Sequence, residues 1–67
     1  MDAPQKQQFH ATVSYEGNYE TFTFWIIGTS PDIEGDVRNE YKRLRTRRGQ
    51  GWDGNKYEFI DCYPSES

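Results

Sequence analysis

The chain has 67 residues, a net charge of −3 and a 33% apolar share, with one cysteine and one histidine. That length supports one domain near the lower limit of a self-sufficient core, burying about 60% of its unfolded surface and holding a net stability of roughly 3–5 kcal/mol. A lone Cys62 excludes an internal disulfide, and Cys62 with His10 cannot assemble a zinc centre.

Mean hydropathy is low, at −1.09, yet the chain is not read as disordered. Disorder requires few aromatics and no periodicity, whereas two Trp, five Tyr and four Phe are present here. Each can bury about 150–250 Å². Residues 1–8 carry no repeat pattern and residues 64–67 follow the last apolar position, so both are expected to be flexible tails around a domain spanning 9–63. No apolar run reaches the roughly 18 residues of a membrane span and no signal peptide is evident, so a cytoplasmic, monomeric protein is expected. The unpaired cysteine fits a reducing compartment.

The first element is a strand. Phe9, Ala11, Val13 and Tyr15 alternate with His10, Thr12 and Ser14, the period of a half-buried strand. Glu16-Gly17-Asn18 offers residues that tolerate positive φ. Tyr19 to Ile27 follows as the return strand of a β-hairpin, with Phe22, Phe24 and Ile26 on one face. Its other face is apolar too, at Trp25 and Ile27.

Ser30-Pro31-Asp32 announces a helix: Ser30 as a cap, Pro31 in the first helical position, Asp32 at the positive end of the dipole. Ile33, Val37, Tyr41 and Leu44 then form one apolar stripe, interrupted by Gly35 at a cost of about 1 kcal/mol. Continued, the stripe would bury Arg48, so the helix is expected to end near Arg45–Arg47, with Gly49 and Gly51 as stops. A glycine-rich loop over Gln50–Asn55 holds Trp52, and Lys56–Tyr63 is the third strand. A right-handed crossover sets that strand beside the first. The predicted fold is α+β: β-β-α-β, a three-stranded antiparallel sheet in order 2-1-3 packed on one helix.

Motif by motif, the sequence offers little chemistry. Gly49-Gln50-Gly51-Trp52-Asp53-Gly54 matches G-x-G-x-x-G, but nucleotide binding needs that pattern between a strand and a helix. Here it leaves a helix and enters a strand, as a connecting loop does. His10 lacks an orienting carboxylate, and Ser14 lies four residues away on the same strand. Asp32, Glu34 and Asp36 suit the helix dipole and lack calcium-loop spacing. Cys62 is read as a small core residue. No catalysis, cofactor or metal is therefore expected.

Charge is distributed unevenly. Arg38, Lys42, Arg43, Arg45, Arg47 and Arg48, offset by Glu40, give the segment from 38 to 48 a charge of +5 and leave −8 elsewhere. Intrahelical pairing of Glu34 with Arg38 and Glu40 with Arg43, together with the dipole, explains part of this. Clustered arginines ahead of an exposed Trp are also typical of interface hot spots. The expected binding residues are Arg43, Arg45, Arg47, Arg48 and Trp52.

The strands carry a resemblance as well. Phe9-His10-Ala11-Thr12-Val13 and Cys62-Tyr63-Pro64 are similar to stretches in the first and last strands of the small host RNA polymerase inhibitors of T-odd coliphages. The resemblance implies a β-β-α-β fold and a phage protein that disarms a host factor. In that family, arginines on the last strand engage the polymerase; this chain has Glu58 and Asp61 there, so no functional residue carries over. The expected function is a non-catalytic inhibitor or modulator of a larger host bacterial protein, with RNA polymerase the leading target and a defence nuclease such as a CRISPR effector behind it. A second reading is a nucleic-acid module in which Trp52 or Tyr57 stacks on bases beside the arginines, against which stands a pI near 4.9. A third is an accessory domain whose charge map is only structural.

Overall fold

The structure is a computed structural model and describes residues 6–65. Its strands are β1 (Lys6–Tyr15), β2 (Asn18–Ile27) and β3 (Tyr57–Pro64), and helix α1 spans Ile33–Arg47. A single 3₁₀ turn, Gly54–Lys56, precedes β3. The sheet order is β2-β1-β3, antiparallel throughout, as the sequence predicts.

β1 starts three residues earlier than the alternation implies. Lys6, Gln7 and Gln8 carry no apolar signal of their own, but they pair with Ile27, Ile26 and Trp25, and the hydrophobicity of β2 sets the length of the hairpin. Pro64 likewise closes β3 and does not begin a tail. Ser65, also expected in the tail, donates its amide to Gln8 O at 2.9 Å, and the remaining expected tail residues, 1–5 and 66–67, lie outside the described residues. The hairpin turn is two residues long, with Glu16 at φ 53° and Gly17 at φ 81°. Positive φ at both positions gives a turn whose twist matches that of the flanking strands.

The helix start differs from its sequence reading. Asp32, not Ser30, is the N-cap, and its carboxylate accepts the Gly35 amide at 3.0 Å. Pro31 precedes the cap, outside the first helical position. Ser30 accepts from the Asp32 amide at 3.3 Å and donates to the Asp36 carboxylate. A Cβ on Gly35 would collide with the Asp32 carboxylate, so the glycine that weakens the helix also makes room for its cap. At the other end Gly49, at φ 73°, turns the chain out, with Gly49 N donating to Thr46 O at 3.0 Å and Gln50 N to Arg45 O at 2.8 Å. This pair of bonds is the Schellman arrangement.

Ala11, Val13, Tyr15, Phe24, Val37 and Tyr41 are buried between sheet and helix, with Phe22, Ile26, Leu44, Phe59 and Cys62 packed around them. The expected stripe and β2 face therefore do meet. The central strand β1 contributes half of the fully enclosed residues, because only it has a neighbour on each side. Burial pushes the Cys62 thiol up, and Asp61 adds to the shift.

Candidate protein-docking surface

The arginine cluster is largely engaged inside the fold. Arg45 lays its guanidinium 3.7 Å from the Tyr15 ring centroid and donates from Nε to Gly51 O at 2.6 Å. Arg48 pairs with Glu20 at 2.6 Å, and Glu20 also accepts from the Tyr41 hydroxyl at 3.2 Å. Arg43 pairs with Glu40 at 3.5 Å. Of the four expected binding arginines, Arg45 and Arg47 have no ion pair among the described residues, and Arg47 alone is without an ion pair, a side-chain hydrogen bond or a ring contact there.

Trp52 is not the exposed side chain the sequence suggests. It is half-buried, with ring centroids of Tyr57 at 5.4 Å, Tyr15 at 5.8 Å and Tyr41 at 6.2 Å. The Asp53 amide donates to the Tyr15 hydroxyl at 2.7 Å, and Asp53 accepts the Asn55 amide at 3.0 Å. The glycine-rich loop thus folds back as the end wall of the core, which is a structural use of the whole motif. Tyr57 sits in this wall, where burial pushes its phenol up to about 12, opposed by Arg38. Among the described residues, its hydroxyl has no hydrogen-bond partner.

The other face of the sheet is uncovered. Side chains alternate along β2, so Tyr19, Thr21, Thr23, Trp25 and Ile27 point away from α1. Across the strands the rows read Trp25–Gln8, Thr23–His10–Tyr63, Thr21–Thr12–Asp61 and Tyr19–Ser14–Glu58. His10 stacks on Tyr63 at 5.4 Å, and Lys6 lies 5.6 Å over the Trp25 ring. A bulge between Phe59 and Asp61 adds Ile60 to this side. The large hydrophobics that stay exposed among the described residues are Tyr19 (74%), Trp25 (55%), Ile27 (66%), Ile60 (41%) and Tyr63 (50%). All five belong to this one face.

At about 200 Å² per side chain, these exposures leave roughly 500–600 Å² of apolar surface. That is the upper end of what a monomer shows as its largest patch. With the interleaved threonines and His10, the face approaches the roughly 800 Å² one partner contributes to a stable complex. Its charges are Lys6 at one end and Glu58 and Asp61 at the other, while the arginines lie on the helix side. The sequence had shown only Trp25 and Ile27 of this surface. Tyr19 was visible in the same alternation, but Ile60 and Tyr63 depend on the bulge, which nothing in the local composition marks.

Among the described residues, no group of three or more His, Cys, Asp or Glu side chains is placed to hold a metal ion, and no helix is long and apolar enough to cross a membrane. Comparison with protein-family models, with curated proteins and with solved structures matches none of them to this chain.

Proposed function

We propose that this protein is a non-catalytic, phage-type binding module that docks its open sheet face on a larger host bacterial protein and inhibits or modulates it in the host cytoplasm. The gathering of all five exposed large hydrophobics on one sheet face carries the reading. Aromatic-rich, weakly charged surface is the composition of interface cores, and buried aromatics supply most binding energy there. Host RNA polymerase is the first candidate target, from the resemblance in the first and last strands; a host defence nuclease is the next. A nucleic-acid module gains no support from the open face, whose few charges are mostly acidic, and Arg45 and Arg48 already have partners within the fold.

The test is transcription by purified bacterial RNA polymerase with the protein titrated in, beside a variant carrying Tyr19→Ser, Trp25→Ser and Tyr63→Ser. Wild type inhibits, and the variant loses the effect while keeping its melting temperature. Inhibition that survives the triple substitution contradicts the assigned surface. If the polymerase is unaffected, the same pair of proteins is compared for binding to a purified defence nuclease, with the same outcome expected.

A further inference from the structure

Resting on the protein-docking reading above, we propose that the outer edge of β2 takes an extended segment of the protein partner as a fourth strand, and that an acidic side chain of this segment meets Arg43 and Arg47. The two edges of the sheet differ. β3 is interrupted by its bulge and ends at Pro64, which has no N–H to offer; both features blunt an edge against pairing. β2 runs ten residues in unbroken register with β1 and contains no proline. Its one charge, Glu20, is paired with Arg48.

The backbone of β2 is set for this role by the hairpin. Tyr15 and Asn18 flank a two-residue turn and form the hydrogen-bonded pair. The even-numbered residues of β2 therefore bond inward to β1, and Tyr19, Thr21, Thr23, Trp25 and Ile27 aim their N–H and C=O groups outward. On the far side of β1 the same alternation appears where Gln8 O accepts from Ser65 N at 2.9 Å.

A second observation points to the same edge. α1 approaches β3 most closely, and on the β2 side two grooves of about 380 and 310 Å³ lie between strand and helix. Phe22, Phe24 and Ile26 border them from the strand, and Arg43, Leu44 and Arg47 from the helix. An added strand sends every second side chain toward this trough, the usual division of labour in strand addition: backbone for affinity, pockets for specificity. Arg43 is 71% exposed despite its contact with Glu40, and Arg47, one turn later, has no ion pair among the described residues. Both favour a carboxylate. They disfavour a second copy of this chain, since a two-fold β2–β2 pairing would set each helix's arginines toward their duplicates.

The probes are two soluble, capped nine-residue peptides of alternating Val and Thr, one with a central Asp and one with a central Lys. Each is titrated into the full chain while amide exchange is followed residue by residue. In the free protein the amides of Tyr19, Thr21, Thr23, Trp25 and Ile27 exchange fast and those of the even residues slowly. The Asp peptide slows the odd set by about tenfold or more, the Lys peptide does so weakly, and Arg43→Glu with Arg47→Glu reverses the preference. Thr23→Pro removes one outward N–H without touching the β1–β2 bonds, so it abolishes protection and leaves the melting temperature close to that of wild type. The proposal is overturned if neither peptide protects the odd amides, or if they are already protected in the free protein in a concentration-dependent way, which is self-pairing. It is also overturned if Thr23→Pro leaves target inhibition intact while the open-face substitutions abolish it; that result removes strand addition and keeps the docking face.

Discussion

Arg45 was a candidate contact residue by sequence and is a fold residue by geometry, and Arg45→Ala separates the two roles. The substitution removes a cation–π contact at 3.7 Å, worth about 0.5–2 kcal/mol, and a hydrogen bond from a charged donor, worth about 1.5–3 kcal/mol. The side chain is half-exposed, so solvent weakens both contributions and the low end of each range applies. A net loss of about 2 kcal/mol follows, near half the stability a domain of this size can hold. For so short a chain each kcal/mol moves the midpoint by about 4–8 °C, so the variant melts roughly 10 °C below wild type. Arg47→Ala is the control: exposed and without an ion pair among the described residues, it changes stability by about 0.5 kcal/mol or less. The assay is thermal unfolding followed by far-ultraviolet circular dichroism, with urea midpoints as a check. If both variants melt within about 2 °C of each other, the guanidinium stack is not holding the loop and the structural assignment of Arg45 is wrong.

Trp52→Ala costs about 2–4 kcal/mol, below the value for a fully enclosed Trp because the ring is half-buried, whereas Trp52→Phe keeps the fold and, read in the transcription assay, keeps inhibition. Tyr57→Phe removes a buried hydroxyl without a partner among the described residues and raises stability by about 1 kcal/mol in urea unfolding. The pH dependence of Tyr57 follows from its folded value near 12 against the ordinary 10: the unfolded chain ionises first, so stability is present below pH 10 and is lost as pH rises toward 12. Tyr57→Phe flattens that alkaline decline. Asp32→Ala costs about 1 kcal/mol as a lost N-cap, and Ser30→Ala costs less; equal effects in urea would return the cap to Ser30.

The fold was legible because its two periodicities are strong and independent. Phe9 to Tyr15 alternates cleanly, Ile33 to Leu44 repeats at helical spacing, and a single crossover rule orders the strands. The boundaries were less visible. Lys6–Gln8 joins β1 because of what lies across from it, not because of its own residues. Ser30-Pro31-Asp32 contains two competent caps, and the decision lies with Gly35, three residues beyond the one that wins. The candidate site was harder to read for a physical reason: charge clusters and aromatics are visible one residue at a time, but their partners are not. Arg45 finds Tyr15, Arg48 finds Glu20 and Trp52 finds three tyrosines, and of these partners only Tyr57 is near in sequence. Once these are internal, the exposed apolar surface falls to the sheet face that no element covers.

The central claim is that the open face, and not the helix-end arginines and Trp52, carries the docking. It is tested most directly by two variants in one assay on a target that wild type inhibits. Tyr19→Ser with Tyr63→Ser alters only exposed side chains of that face, and Arg48→Ala alters the cluster. Because truncating a central interface residue costs about 2 kcal/mol or more, the account predicts at least roughly a thirtyfold rise in the half-inhibitory concentration for the face variant. It predicts little change for Arg48→Ala once the folded fraction is matched. A large loss for Arg48→Ala with the face variant still fully inhibitory would contradict the account and return the site to the arginine cluster.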